Sequence, residues 1–332
     1  MMGLLEQRSA YCDERLGKLR SAISRNANIP NLEDLCVYVT GSFGRGEASP
    51  HSDLDLFFLN RGTVSKHGLT NRDKALLFAD LIRVVEDLCF PPLTKGGAYL
   101  KIHYLDDVLD SIGSQTEDFE NSFTARMLLL TESTAVLNAP MFDAALRKLI
   151  DVYFRDYHDH EKEFRPIFLI NDIVRYWKTM CMNYEHNRHR TDDAANDDPA
   201  GIQRNKNKAH TKNFKLKFSR MLTCFSFVIA CVAQGRGIGP ENVENIARKT
   251  PLQRLDWVAQ QRPQAKEMVE MAKAEYAWFL EKTGCDSGEL EAWISNREVR
   301  NTAFDKGRTF GATIYRLLSS VTEPDTLRYL VV

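Results

Sequence analysis

Asp53 and Asp55 stand two residues apart in the run Ser52-Asp53-Leu54-Asp55-Leu56-Phe57-Phe58-Leu59. Side chains alternate along an extended strand, so the two carboxylates share one face and Leu54 and Leu56 the other. Like charges placed that way repel, and a cation between them removes the repulsion. Mg²⁺ suits the position, because it takes hard oxygen ligands and is commonly held by one or two carboxylates together with nucleotide phosphates. Upstream, Gly41 and Ser42 follow directly on the β-branched and aromatic run 36–40. A glycine at a tight turn lets backbone N–H groups approach a phosphate, and the serine hydroxyl adds a donor. The chemistry these residues suit is that of a phosphate and a divalent cation.

Two strands must position them, one over 36–40 and one over 52–59. Ahead of them, Leu5, Cys12, Leu16, Leu19 and Ile23 repeat at helical spacing through 4–24, and Pro30 and Asn31 break the chain. After the second strand, Asn60-Arg61-Gly62 reads as a turn. Ala75, Phe78, Leu81, Ile82, Val85 and Leu88 then mark an amphipathic helix over 71–88, stopped by Pro91-Pro92. Residues 98–105 alternate as a further strand.

A polar stretch at 155–164 divides the chain into a domain of residues 1–155 and a helical one of 156–332. Its His158, Asp159, His160 and Glu161 are neighbours that point apart, which fits a solvated connector better than a metal site. Beyond it, helical spacing recurs at 167–184, 214–232, 241–248, 252–259, 264–282, 288–294 and 304–319, as in a bundle. Residues 185–213 contain almost no large apolar side chain and read as an exposed, mobile loop. Within 201–220 seven Lys or Arg occur without an acid, the strongest local field in the chain.

The run Gly41-Ser42-Phe43-Gly44-Arg45-Gly46-Glu47 through Ser52-Asp53-Leu54-Asp55-Leu56 resembles the nucleotidyltransferase superfamily of DNA polymerase β. It looks closest to the bacterial protein uridylyltransferases and the minimal nucleotidyltransferases. The resemblance extends over 36–150. It implies an α/β fold, a small mixed-sheet nucleotidyltransferase domain followed by an all-α helical domain, with the nucleotide between them. It also implies roles: Asp53 and Asp55 catalytic and metal-binding, Gly41, Ser42 and Arg45 on the phosphates, and basic residues of the helical domain, Lys178, Lys215 and Arg220, reaching the triphosphate. Arg45 has a second expectation, a structural pair with Glu47 or Asp53. Lys215 and Arg220, five apart on a helix, are not expected on one stripe. The sequence departs from the pattern where a third acid is usual. There the strand of 98–105 offers Lys101 and His103, with Asp106 and Asp107 only at its end.

The implied reaction moves a nucleoside monophosphate from a nucleoside triphosphate, ATP among them, to an acceptor, with Mg²⁺ as cofactor. A macromolecular acceptor, protein first and RNA second, is expected because the polar 185–213 stretch suits a broad partner. Two alternatives stand beside it: an inactive nucleotide-binding regulator of the same fold, motivated by the missing acid, and a synthase of oligonucleotide second messengers. Residues 204–210 also have the Arg-Asn to His spacing of HEPN ribonucleases, set here in a polar loop. Composition bounds the rest. The chain has 332 residues, 43% of them hydrophobic, enough for a sizeable core, and a net charge of −1 that recruits neither nucleic acid nor membrane in bulk. Its apolar run 224–233 is too short to span a bilayer, and its N-terminus lacks a secretory pattern. Seven scattered cysteines without a C-x-x-C pair fit a reducing cytoplasm and no zinc site.

Overall fold

In the computed structural model, which describes residues 2–26, 29, 32–93, 97, 100–119, 121–193 and 199–329, six consecutive buried residues form strand β1, Leu35–Thr40. It lies inside a four-stranded sheet of order β3-β2-β1-β4, with β2 at Asp55–Asn60, β3 at Ile102–Tyr104 and β4 at Thr134–Leu137. β1 runs antiparallel to β2, placing Thr40 opposite Asp55 and Tyr38 opposite Phe57. β2 and β3 are parallel, with Leu59 opposite His103, so the sheet is mixed. β4 pairs antiparallel with β1 through a register shift at Val37 and Tyr38. It has only four residues, too short a run for period-two alternation to reveal.

This sheet belongs to a unit made of residues 2–159 and 239–250, and the remainder, 160–238 with 251–332, forms a second, helical unit. In the sheet unit the helices are α1 (Met2–Arg25), α2 (Gly41–Gly44), α3 (Val64–His67), α4 (Asn71–Asp87), α5 (Leu105–Asp110), α6 (Thr116–Phe119), α7 (Ser122–Thr131) and α8 (Ala139–Tyr153). One sheet face, carrying Val37, Val39, Leu54, Leu56 and Phe58, packs on α1 through Cys12, Leu16, Leu19 and Ile23 and on α4 through Leu77, Leu81 and Val84. Each such side chain contributes about 1.5–3 kcal/mol when fully buried. On the opposite face Tyr38 stacks on Phe57 at 5.7 Å between ring centroids and meets Phe142 of α8 at 5.8 Å. Three layers result, and they hold β1 and β2 from both sides.

In the helical unit, α9 spans Ile167–Asp193 and α10 Pro199–Lys215, and a π-helical turn over Leu216–Arg220 leads into α11, Met221–Gln234. The short α12, Pro240–Ala247, returns to the sheet unit, where Arg147 and Arg248 both hold Glu244 and Arg248 also reaches Asp143 of α8. α13 (Pro251–Gln261), α14 (Lys266–Lys282), α15 (Ser287–Ser295), α16 (Arg297–Val321) and α17 (Pro324–Tyr329) complete the helical unit. The segment 201–234 is long and apolar enough to cross a membrane, yet 72% of its apolar window is buried in the protein, as for a core helix.

Several expectations change. Apart from 194–198, which lie outside the described residues, 185–213 is helix and not loop. Arg, Lys, Gln and Ala are good helix formers, and α10 needs only the narrow buried face of Thr211 and Phe214 to dock, so scarcity of large apolar residues misleads there. β3 is shorter than the expected strand, because α5 begins at Leu105; Ala98 and Tyr99, like Pro30 and Asn31, lie outside the described residues. Around His158 the chain makes a 3₁₀ turn, Tyr157–Asp159, and among the described residues no three of His, Cys, Asp and Glu gather in a metal-holding group.

Candidate active site

Thr40 ends β1, and Gly41 turns the chain with φ +64°, a left-handed conformation that glycine adopts at no steric cost. A Cβ on Gly41 would stand 2.7 Å from Oδ2 of Asp55, so the carboxylate lies directly over the glycine. This follows from the β1–β2 register, which sets Thr40 against Asp55. Asp53 just precedes β2. Burial alternates through exposed Asp53, buried Leu54, half-buried Asp55 and buried Leu56, so both carboxylates are on the open side of the strand while the leucines enter the core. Gly41, Ser42 and Asp55 are thus brought together by two adjacent strands, with Asp53 beside them.

The loop between the strands is built to hold this geometry. Glu47 N–H donates to the Ser42 carbonyl at 2.9 Å, and Ser49 N–H donates to Ser52 Oγ at 2.9 Å. Ala48 N–H donates to Cys12 Sγ at 3.1 Å, tying the loop to α1. Arg45 is buried: its Nε donates to Glu47 at 2.5 Å and its Nη1 to Glu132 at 2.5 Å. Gly44 is pressed against the Glu132 backbone, where a Cβ would overlap the carbonyl. Of the two expectations for Arg45, the structure displays the pair with Glu47. Glu132, at the end of α7 and 87 residues along the chain, is the partner that sequence reasoning missed, since nothing local signals a contact of that range.

On β3 the register puts His103 on the face of Phe57 and Asp55, and His103 stacks on Phe57 at 6.3 Å. Asp106 faces Lys148 at 3.8 Å, and Asp107 accepts from the Val64 N–H at 2.8 Å, capping α3. Asp107 thus ties α5 to α3, while the exposed Asp106–Lys148 pair adds little. The donor set suits Mg²⁺, being two carboxylates of hard oxygens with the phosphate-binding glycine alongside.

Lys178, Lys215 and Arg220 belong to the helical unit. Lys215 and Arg220 line one cavity of about 610 Å³ between α9 and α10, whereas exposed Lys178 on α9 is not part of that lining. They meet because the turn Leu216–Arg220 is π-helical. Its i→i+5 hydrogen bonds widen the turn, so residues five apart stack on one side. The expectation that they diverge assumed α-helical geometry. Within that turn Phe218 is stacked between Phe279 at 5.0 Å and Phe310 at 5.1 Å. Arg204 and His210, both on α10, are six apart on an α-helix and so about 120° apart around it.

Residues 17–107 match the family model of the nucleotidyltransferase domain. The matched segment contains β1, β2, β3 and the loop with Gly41, Asp53 and Asp55, and it ends before β4 and the helical unit. The match supports the polymerase-β-type superfamily for the sheet unit, without distinguishing among its branches. No curated protein matches the chain significantly.

Proposed function

We propose that the chain transfers a nucleoside monophosphate from a nucleoside triphosphate to an acceptor hydroxyl. The acceptor oxygen forms its bond to the α-phosphorus as the bond to pyrophosphate breaks, and pyrophosphate leaves. Such a reaction asks the protein for in-line positioning and charge neutralisation, with little covalent chemistry. The observation that carries the reading is the Asp55 carboxylate seated over Gly41 Cα, which places an acid against the backbone where a phosphate would lie. Asp53 and Asp55 would hold Mg²⁺, which when bound would neutralise charge developing on the triphosphate. Gly41 and Ser42 orient the phosphates through backbone N–H and hydroxyl donors. Arg45, clamped by Glu47 and Glu132, holds the loop in shape, a positioning role in place of a direct phosphate contact.

The acceptor in this reading is macromolecular, protein or RNA. The argument from a long polar loop does not survive, since that stretch is largely α9 and α10. One observation favours an inactive nucleotide-binding regulator instead: His103 occupies the Asp55 face of β3, and Asp106 and Asp107 have structural partners. Incubation with each α-labelled nucleoside triphosphate, Mg²⁺ and a cell lysate separates these readings. Label that follows protein through ribonuclease, or RNA through protease, supports transfer to that class. Label in free small products alone assigns the activity to oligonucleotide synthesis. Absence of label, with nucleotide bound by the purified chain, makes it a regulator.

A further inference from the structure

The helical unit carries a basic cleft of its own, formed within that unit. On α10, Arg204, Lys208, Lys212 and Lys215 are spaced by four, four and three residues, which puts them within about 80° of the helix circumference. The π-helical turn adds Arg220 to the same side, and the members that line the cavity, Lys208, Lys212, Lys215 and Arg220, span roughly 18 Å of helix at 1.5 Å per residue. The buried residues Thr211 and Phe214 anchor the helix beside the stripe, and Phe214 packs on Trp278, Phe279 and Trp293. Across the cavity, α9 contributes Tyr184 with Asn183, Asn187 and Arg188. Among the described residues no acid lines this 610 Å³ space; Glu185, which pairs with Arg188 at 2.9 Å, stands outside the lining.

We propose that this cleft binds a single-stranded polynucleotide, with the stripe tracking the phosphates and Tyr184 offering a ring for a base to stack on. Length distinguishes this ligand from one nucleotide. Successive phosphates of a strand advance by about 3.4 Å in helical stacking, so the stripe matches a run of several nucleotides and exceeds a single triphosphate. The combination of a positive groove and an aromatic platform is the usual means of holding a single strand with little sequence preference. An acidic peptide would use the charges but leave the platform without a role. Binding requires nothing of Asp53 or Asp55. That the strand is also the acceptor rests on the transferase reading above.

The test uses the full chain and fluorescein-labelled 12-nucleotide RNA and DNA of mixed sequence, followed by anisotropy across a salt series. Salt-sensitive binding is expected, its log–log slope made shallower by about 1.4 in Lys208→Ala/Lys212→Ala, at roughly 0.7 per phosphate contact on a single strand. Tyr184→Ala should weaken binding by roughly five- to a hundredfold through lost stacking. Lys66→Ala/Lys266→Ala, which removes two exposed charges elsewhere, should bind as the wild type does. Preference for RNA or for DNA names the strand and supports the cleft either way. Oligonucleotide affinity unchanged in both cleft variants overturns the proposal. So does equal displacement by poly-glutamate, or binding of a lone nucleoside triphosphate with none of the oligonucleotide. Asp53→Ala/Asp55→Ala should keep full oligonucleotide affinity whether or not the protein proves to be a transferase, so the two ideas fail separately.

Discussion

At Gly41 an added Cβ would stand 2.7 Å from Asp55 Oδ2, so a methyl is admitted only if that carboxylate moves. Gly41→Ala therefore both strains a left-handed backbone, by about 1–2 kcal/mol, and pushes the carboxylate aside. Gly113, with φ +78° and open space within 4 Å of where an alanine methyl would stand, separates the two effects. Chemical unfolding should show a similar loss for Gly41→Ala and Gly113→Ala, whereas Mg²⁺-dependent turnover should fall at least tenfold in the first alone. Arg45 gives a second contrast. Removing it leaves Glu47 and Glu132 facing one another in a buried site, so Arg45→Ala should cost about 3–5 kcal/mol in urea unfolding. A direct phosphate ligand would show little stability change and a loss of nucleotide affinity. The Gly-Ser and Asp-x-Asp positions were legible because strand alternation and glycine's backbone freedom are local properties. Glu132 was not, because its contact closes a loop of 87 residues.

The elements that hold these residues depend on a few end positions. Asn138 begins α8 in the left-handed region, at φ 54° and ψ 62°. Its side chain accepts from Met141 N–H at 3.2 Å and donates to the carbonyls of Glu33 at 2.7 Å and Leu35 at 3.2 Å. One residue thus caps the helix that brings Phe142 to Tyr38 and ties that helix to the start of β1. Asn138→Ala should lower stability by about 1–3 kcal/mol by loss of the cap and the cost of a left-handed alanine, and Asn138→Gly should recover part of it, both read by thermal unfolding. Helices with a regular apolar stripe, such as α4 and α14, were legible in the sequence to within a few residues. β4 was too short to announce itself. The polar α10 reads as loop until its neighbours are known, and a π-helical turn has no periodic signature to find.

Across the whole molecule, burial governs the cysteines. Desolvation pushes the Cys12 thiol up to about 11 and the thiols of Cys36 and Cys231 up to about 12, from an ordinary value of 9.0. Folding holds these protons, while the unfolded chain releases them near pH 9. Stability from this source is therefore complete below about pH 9 and is lost as pH rises through 11 to 12, which urea midpoints measured from pH 8 to 11 should follow downward. At neutral pH a thiol reagent should modify exposed Cys89 first and leave Cys12, Cys36 and Cys231 until the protein unfolds. The net charge of −1 conceals the other whole-molecule feature, the concentration of positive charge on α10.

If Asp53 and Asp55 together support nucleotidyl transfer, pyrophosphate release from a nucleoside triphosphate with Mg²⁺ should separate the wild-type chain from Asp53→Ala, Asp55→Ala and the double variant. Each single substitution should lower turnover at least roughly a hundredfold, the consequence of losing a few kcal/mol of transition-state stabilisation. Far-ultraviolet circular dichroism should remain that of the folded chain, since both carboxylates lie on the open side of the strand. Turnover in the folded double variant equal to that of the wild type would remove Asp53 and Asp55 from the chemistry.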